Sequence, residues 1–231
     1  MSGSVLEFLD ISKDYRGLRP LRIERLQVGR GDTIALMGLD QVAAEVFVNL
    51  ATGATLPDRG TVNLFDRPTS SIDNSADWLA VVDRFGIVSH RAVLLDGLTP
   101  IQNLAMPFTL DIEPPPSDIR GRAVALAHEV GLDEAVLTRP LAELDETARG
   151  RVRLGRALAL DPAIVLLEHP TAQMPPDEAK PYGRVVHALA ARRGAALVAL
   201  TADRTFARAV ADRVLTLDAA TGKLTERRRW F

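Results

Sequence analysis

The chain has no cysteine among its 231 residues, which removes disulfide bridges, a thiolate nucleophile and any metal centre built on cysteine. That composition suits a reducing compartment. A basic excess is missing too: the formal net charge is −2 and the isoelectric point is about 6.1, so nothing electrostatic favours a nucleic-acid partner. No run approaches the ~18 uninterrupted apolar residues of a membrane span. The stretch from Met1 to Val5 lacks the basic and apolar regions of a secretory signal. These absences lead to the expectation of a soluble, cytoplasmic protein without nucleic acid. What is present is length enough for one large α/β domain, or a core plus a small subdomain, around a sizeable hydrophobic centre.

Short apolar runs bounded by turn residues alternate with longer segments of helical period, the pattern of a mixed sheet covered by helices. The reading places strands at 5–8, 21–28, 33–37, 61–64, 85–88, 164–167, 196–201 and 213–217. It places helices at 42–51, 100–108, 118–130, 146–160, 177–192 and 204–211. Pro114, Pro115 and Pro116 cannot continue a helix, and Ser117 is positioned to cap the next one. The break falls inside a helical insertion. No internal repeat or long low-complexity tract is visible.

The segment from Gly31 to Gly38 reads as a turn, a buried strand and the opening glycine of a phosphate-binding loop. The pattern G-x-x-x-x-G-K-[ST] then requires glycine, lysine and a hydroxyl, where this chain has Ala43, Ala44 and Glu45. A working loop uses glycines so that backbone N–H groups curl around phosphate oxygens, a lysine for the β- and γ-phosphates, and a hydroxyl for Mg²⁺. Only Gly38 survives. Losing the lysine forfeits charge-assisted hydrogen bonds of roughly 1.5–3 kcal/mol each. Glu45, if it faces the cavity, adds repulsion on the order of 4 kcal/mol at ~4 Å and an effective dielectric of ~20. The helix N-terminus returns only ~0.3–2 kcal/mol. Glu45 can instead point to solvent or pair with a nearby arginine. With Gln41, Ala43 and Ala44 in the loop, an ordinary turn into helix 42–51 is expected, with a cavity partly filled by side chains.

The segment Arg139-Pro140-Leu141-Ala142-Glu143-Leu144 through Arg156-Ala157-Leu158-Ala159-Leu160-Asp161-Pro162, followed by Val165 to Ala172, resembles the ATP-binding subunit of ABC transporters. That family carries, in order, a signature L-S-G-G-Q, a helix ending in R-A-L-A, a strand with a Walker B aspartate and a catalytic glutamate, and P-T-S. The match extends from Ile11-Ser12-Lys13-Asp14-Tyr15 to the stretch ending at Val214. The resemblance implies an α/β, ABC-type P-loop NTPase fold: a mixed sheet core with an antiparallel β part and a helical insertion subdomain. It implies a single domain over 1–231, with 1–90 and 161–231 as α/β core and about 91–160 as helical subdomain. It also implies an ABC permease as partner, a homo- or heterodimer with another ATP-binding subunit, and a peripheral place at the inner face of the cell membrane.

Carried over residue by residue, the family's nucleotide contacts are mostly changed. Tyr15 keeps the aromatic that stacks on adenine, and Gly38, Asp40, Ala43, Ala44 and Glu45 line the remnant of the phosphate loop. His90 stands at the Q-loop glutamine. The signature becomes Leu144-Asp145-Glu146-Thr147-Ala148, placing two carboxylates where a partner's γ-phosphate would lie. Glu168 replaces the Walker B aspartate and His169 the catalytic glutamate; Glu168 could still hold a cation and His169 act as a base. The D-loop reads Ala172-Gln173-Met174-Pro175, and Ala202 replaces the switch histidine. No catalytic residue or metal centre is assigned, and any binding of ATP or Mg²⁺ is expected to be weak.

Better kept is the segment 94–107, which in the family borders the groove for the permease. Leu94, Leu95, Leu98, Thr99, Leu104 and Met106 are its docking candidates, with subdomain core as their other reading. Its spacing is closest to lipoprotein-release, lipid-trafficking and cell-division subfamilies. The arginine-rich end Glu226 to Phe231 reads as a partner or membrane contact, or as a solvated tail. The leading expectation is a degenerate, non-hydrolysing structural or regulatory subunit. An active transport ATPase, a nucleotide sensor without hydrolysis, and a soluble interaction protein without a permease stay open.

Overall fold

The computed structural model describes residues 4–226. In chain order they form β1 (Ser4–Lys13), β2 (Leu21–Gly29), β3 (Thr33–Met37), α1 (Gln41–Ala51), β4 (Arg59–Leu64) and β5 (Arg67–Pro68). They continue through α2 (Ser75–Val82), β6 (Phe85–Val88), α3 (Pro100–Ala105), α4 (Ser117–Glu129) and α5 (Glu146–Leu158). The remainder carries β7 (Ile164–Glu168), α6 (Ala179–Arg193), β8 (Ala196–Leu200), α7 (Arg204–Val210), β9 (Arg213–Leu217) and β10 (Leu224–Glu226).

Two sheets result. One is antiparallel in the order β2-β1-β4-β5, and the other runs β10-β9-β3-β8-β7-β6, parallel except for β10. This is the α/β fold expected, with a mixed sheet and a separate antiparallel part. Its central strands are apolar except for Thr33 and Glu168 at their ends, because both faces are covered. Alternation sorts their side chains between two cores. Ile34, Leu36, Leu166 and Val198 pack with α1 and the antiparallel sheet, while Ala35, Leu167, Leu197 and Ala199 pack with α5, α6 and α7. Phe8 on β1 stacks on Phe47 of α1 with ring centroids 4.7 Å apart, so the antiparallel sheet clamps α1 against the parallel one. The helix that opens the phosphate loop is therefore held on both sides.

Some elements differ from the sequence expectation. The first strand continues past Phe8 to Lys13 through an irregular register at Asp10, whose φ of 49° lies in the left-handed region. Gly60 allows the opposing backbone to approach there. The sequence reading has no helix at α2: none of its residues is buried, Val81 reaches the core only in part, and the apolar run 78–82 shows no helical period. Ser117 is the first residue of α4; Pro116 holds the cap position and no side chain caps it. Helix α3 stops at Ala105 rather than 108. Among the described residues no helix is long and apolar enough to cross a membrane. The arginine-rich end at 227–231 lies outside the described residues.

Candidate nucleotide-site remnant

The candidate residues gather at the carboxyl ends of β3, β6, β7 and β8, the edge where open α/β sheets hold ligands. Gly38 leaves β3 at φ 96°, and a Cβ there would lie 2.6 Å from the carbonyl oxygen of Leu217. Its role in this chain is a backbone crossing. Helix α1 begins at Gln41, one residue earlier than the sequence suggested. Asp40 is its N-cap and accepts a 2.8 Å hydrogen bond from the Ala43 N–H. The Ala44 N–H goes to the Asp40 carbonyl at 2.9 Å. A carboxylate of the chain itself therefore sits at the helix N-terminus, where a phosphate would be favoured. Ala44, at the lysine position, is fully buried.

The centre of the site is an ion-pair network. Glu168 ends β7 with its side chain fully buried. One of its oxygens accepts 2.7 Å from Gln41 Nε2, and the other accepts 2.7 Å from Arg91 Nη2. Arg91 Nη1 reaches on to Glu45 Oε1 at 3.0 Å. Gln41 and Glu45 are one turn apart on the same face of α1, the spacing that aligns two side chains on one target. Glu45 is thus paired with an arginine while half-exposed, which offsets the repulsion it would bring to the site. A fully buried carboxylate without a cation would be strongly destabilising, so Arg91 is required by Glu168.

The neighbouring histidines are held by backbone. His169 has a left-handed φ of 42°, its N–H donates to the Leu200 carbonyl at 2.9 Å, and its carbonyl lies 3.3 Å from His90 Nε2. Burial first, then the charge of Arg153, pushes the His90 pKa down, opposed by the contact with the His169 carbonyl. His90 Nδ1 and His169 Nε2 are buried without a hydrogen-bond partner. No group of three or more metal-binding side chains exists among the described residues. Tyr15 is half-buried, its ring lying against Gly17; burial first, then the nearby Asp40 charge, raises its pKa. Ala202 is exposed after β8 and offers no polar group.

The signature-loop carboxylates are spent locally. Asp145 caps α5 by accepting 2.8 Å from the Ala148 N–H, and Glu146 pairs with Arg149 and Arg153 of the same helix. Thr147 is buried. The D-loop residue Met174 packs over Gly150 of α5.

The docking candidates divide. Leu104 is a core residue, not surface; Leu94 is buried too but borders the groove beside Met106. Leu104 is fully buried and lies 2.5 Å from where a Cβ on Gly155 would be. Thr99 is the N-cap of α3 in a capping box with Gln102. Leu98 is half-buried; Leu95 is exposed, and so are Val93 and Leu160, which the sequence reading did not single out. Met106 lines an open groove of about 360 Å³ with Phe85, Ile87, Leu94, Pro107 and Leu160.

Arg91 is the functional residue that sequence reasoning missed by number. The available signal was charge arithmetic: two carboxylates at positions that hold Mg²⁺ in P-loop NTPases, with an arginine immediately after His90. A magnesium nucleotide, the ligand implied by the resemblance, does not fit these residues. Asp40 fills the helix N-terminus, no lysine is present, and the Arg91 guanidinium spans the two carboxylates at the metal's positions.

Comparison with known proteins gives relatives along almost the whole chain. No protein-family model matches. The methionine import ATP-binding protein MetN of Brucella abortus is 27% identical over 217 residues, covering 94% of this chain and 58% of the relative. The lipoprotein-releasing system ATP-binding protein LolD of Psychrobacter arcticus is 29% identical over 192 residues, covering 83% of this chain and 84% of the relative. The chain thus spans 58% of the length of the Brucella methionine import relatives and 66% of that of the Caulobacter vibrioides one. Among solved structures, the ATP-binding cassette MJ0796 in a dimeric post-hydrolysis state bound to ADP and Pi has a TM-score of 0.78 at 21% identity, covering 97% of this chain and all of that one. The protein cbiO1 of Clostridium perfringens, part of the ABC transporter complex cbiONQ, has a TM-score of 0.80 at 19% identity, covering 96% of this chain and 87% of that one. The structures speak for the fold, and along nearly its whole length the chain is similar to the ATP-binding subunits of ABC transporters.

Proposed function

We propose that this chain is a degenerate ABC nucleotide-binding domain that does not hydrolyse ATP and serves as a structural or regulatory subunit of a membrane ABC assembly. The observation that carries this reading is the Glu45–Arg91–Glu168 network, which puts a tethered cation at the positions of Mg²⁺. The Asp40 cap at the phosphate end supports it. The signature half supports it as well, because Asp145 and Glu146 stand in place of the serine and the first glycine that would meet the nucleotide of a dimer partner. A composite site shared with an intact subunit would lack one half on either side. The groove beside Met106, with Leu95, Val93 and Leu160 around it, is the surface assigned to a permease. Helices α3, α4 and α5, packed on one another, form the helical subdomain of this reading. LolD is named as part of a lipoprotein-releasing system, which favours lipid or lipoprotein cargo for the assembly. Tyr15, retained beside Asp40, favours a second reading, a nucleotide sensor.

Calorimetric titration with ATP, with and without Mg²⁺, tests the reading, together with a phosphate-release assay. The expected outcome is no saturable heat and no Mg²⁺-dependent turnover. Saturable binding without turnover would make the chain a sensor. Turnover lost in a folded His169→Ala variant would make it an ATPase and overturn the proposal.

A further inference from the structure

The segment 89–99 links the end of β6 to α3 and forms one wall of the groove. Its ties run in two directions. Towards the helical layer, Arg156 Nη1 donates to the Val93 carbonyl at 2.6 Å, Asn103 holds both the N–H and the carbonyl of Leu95, and Arg149 Nη2 donates to Asp96 Oδ1 at 2.7 Å. The backbone adds two bonds, from the Leu141 N–H to the Leu98 carbonyl and from the Ala142 N–H to the Asp96 carbonyl, both 2.9 Å. Towards the nucleotide side, the side chains of the segment make two contacts: the 3.3 Å approach of His90 to the His169 carbonyl, and the Arg91 fork to Glu45 and Glu168. Arg91 is itself short-leashed, since its N–H donates to the buried Ser89 hydroxyl at 3.1 Å. Only one residue separates it from Val93, the exposed edge of the groove.

We infer that Arg91 is a built-in latch that fixes segment 89–99, and the groove it walls, in one conformation without nucleotide. The inference rests on the reading that the site does not take Mg²⁺-ATP and adds what replaces it. A ligand that comes and goes can switch the wall of the groove. A guanidinium carried on the wall cannot leave, and the buried carboxylate it serves opposes its release. The groove is then presented to a partner permanently, the property of a scaffold or of a subunit whose state is set elsewhere.

Amide hydrogen exchange of residues 91–98 in the full chain tests this. In the wild type the amides of this stretch that have a partner, those of Arg91, Ala92, Leu95 and Leu98, should exchange far more slowly than in an unstructured chain, and exchange at the unstructured rate there overturns the latch without any variant. In Arg91→Gln/Glu168→Gln, which keeps two polar side chains but removes the buried charge, exchange of 91–98 should rise at least tenfold while β3 and β8 stay unchanged. A change below twofold in that folded variant also overturns it. The variant Arg91→Lys, with the charge but not the fork, should give an intermediate rate, and a wild-type rate would assign the hold to charge alone and reject the two-point latch. Adding Mg²⁺-ATP to the wild type separates the two levels of the argument. No change supports both, whereas altered exchange that persists in Glu168→Gln overturns the non-binding reading and leaves the variant comparison to judge the latch.

Discussion

The two halves of the candidate site both carry carboxylates, Glu45 and Glu168 in one and Asp145 and Glu146 in the other, yet these differ in weight. At the phosphate-loop half, Glu168 is fully buried and shares one arginine with Glu45. At the signature half, Asp145 caps its own helix and Glu146, with its side chain 33% exposed, pairs within the same helix. Burial makes the difference. In the first half the charge has no water to fall back on, so its partner becomes obligatory and joins distant parts of the chain. In the second half the charges serve local helix energetics and leave little mark on the fold.

The comparison is broken most severely at Arg91. Arg91→Ala strands the Glu168 carboxylate and should cost about 3–5 kcal/mol, as does removal of one partner from buried ion pairs elsewhere. Glu168→Gln should cost clearly less, because Arg91 is 42% exposed and keeps Glu45 and water. Urea unfolding midpoints measure both, and equal losses would show that the burial of Glu168 is not what sets the cost. On the other half, Asp145→Ala removes one helix cap and should cost about 1 kcal/mol, read from the same midpoints. Glu146→Gln should change stability by less than about 1 kcal/mol and fade with added salt.

His90 gives an effect confined to a pH window. Its folded pKa lies below the ordinary 6.5, first through burial and then through Arg153. The unfolded chain therefore binds a proton that the folded chain resists, and stability rises with pH across the interval. The contribution is complete above about 6.5 and is lost as pH falls through the folded value. His90→Gln should flatten that part of the stability curve and leave the range above pH 7 unchanged. A wild-type curve already flat between pH 5 and 7 would refute it.

Much of the fold was legible because apolar runs and turn residues report burial directly. The strand Thr33–Met37 stands where the sequence put it; the strand from Ile164 runs one residue further, to Glu168, and α5 starts at Glu146 as expected but ends two residues earlier, at Leu158. Helix α2, which reaches the core only through the partly buried Val81, left no helical period. At the site, the loss of the lysine and glycines was plain from 43–45, and the alternative that Glu45 meets an arginine was readable, but not which arginine. Leu104 had two readings, docking surface or subdomain core, and the core reading holds: Gly155, an α5 residue 51 positions on, makes room for it inside.

The sequence by itself determined the strand and helix order, the family pattern, and the removal of the residues that grip phosphate, because each depends on local residue type and spacing. Only the tertiary structure decided that Asp40 takes the helix N-terminus, that Arg91 spans Glu45 and Glu168, and that Leu94 and Leu104 lie inside. Each of those outcomes turns on which groups lose their water together. Burial is a property of the packed chain and cannot be read from any one segment of it.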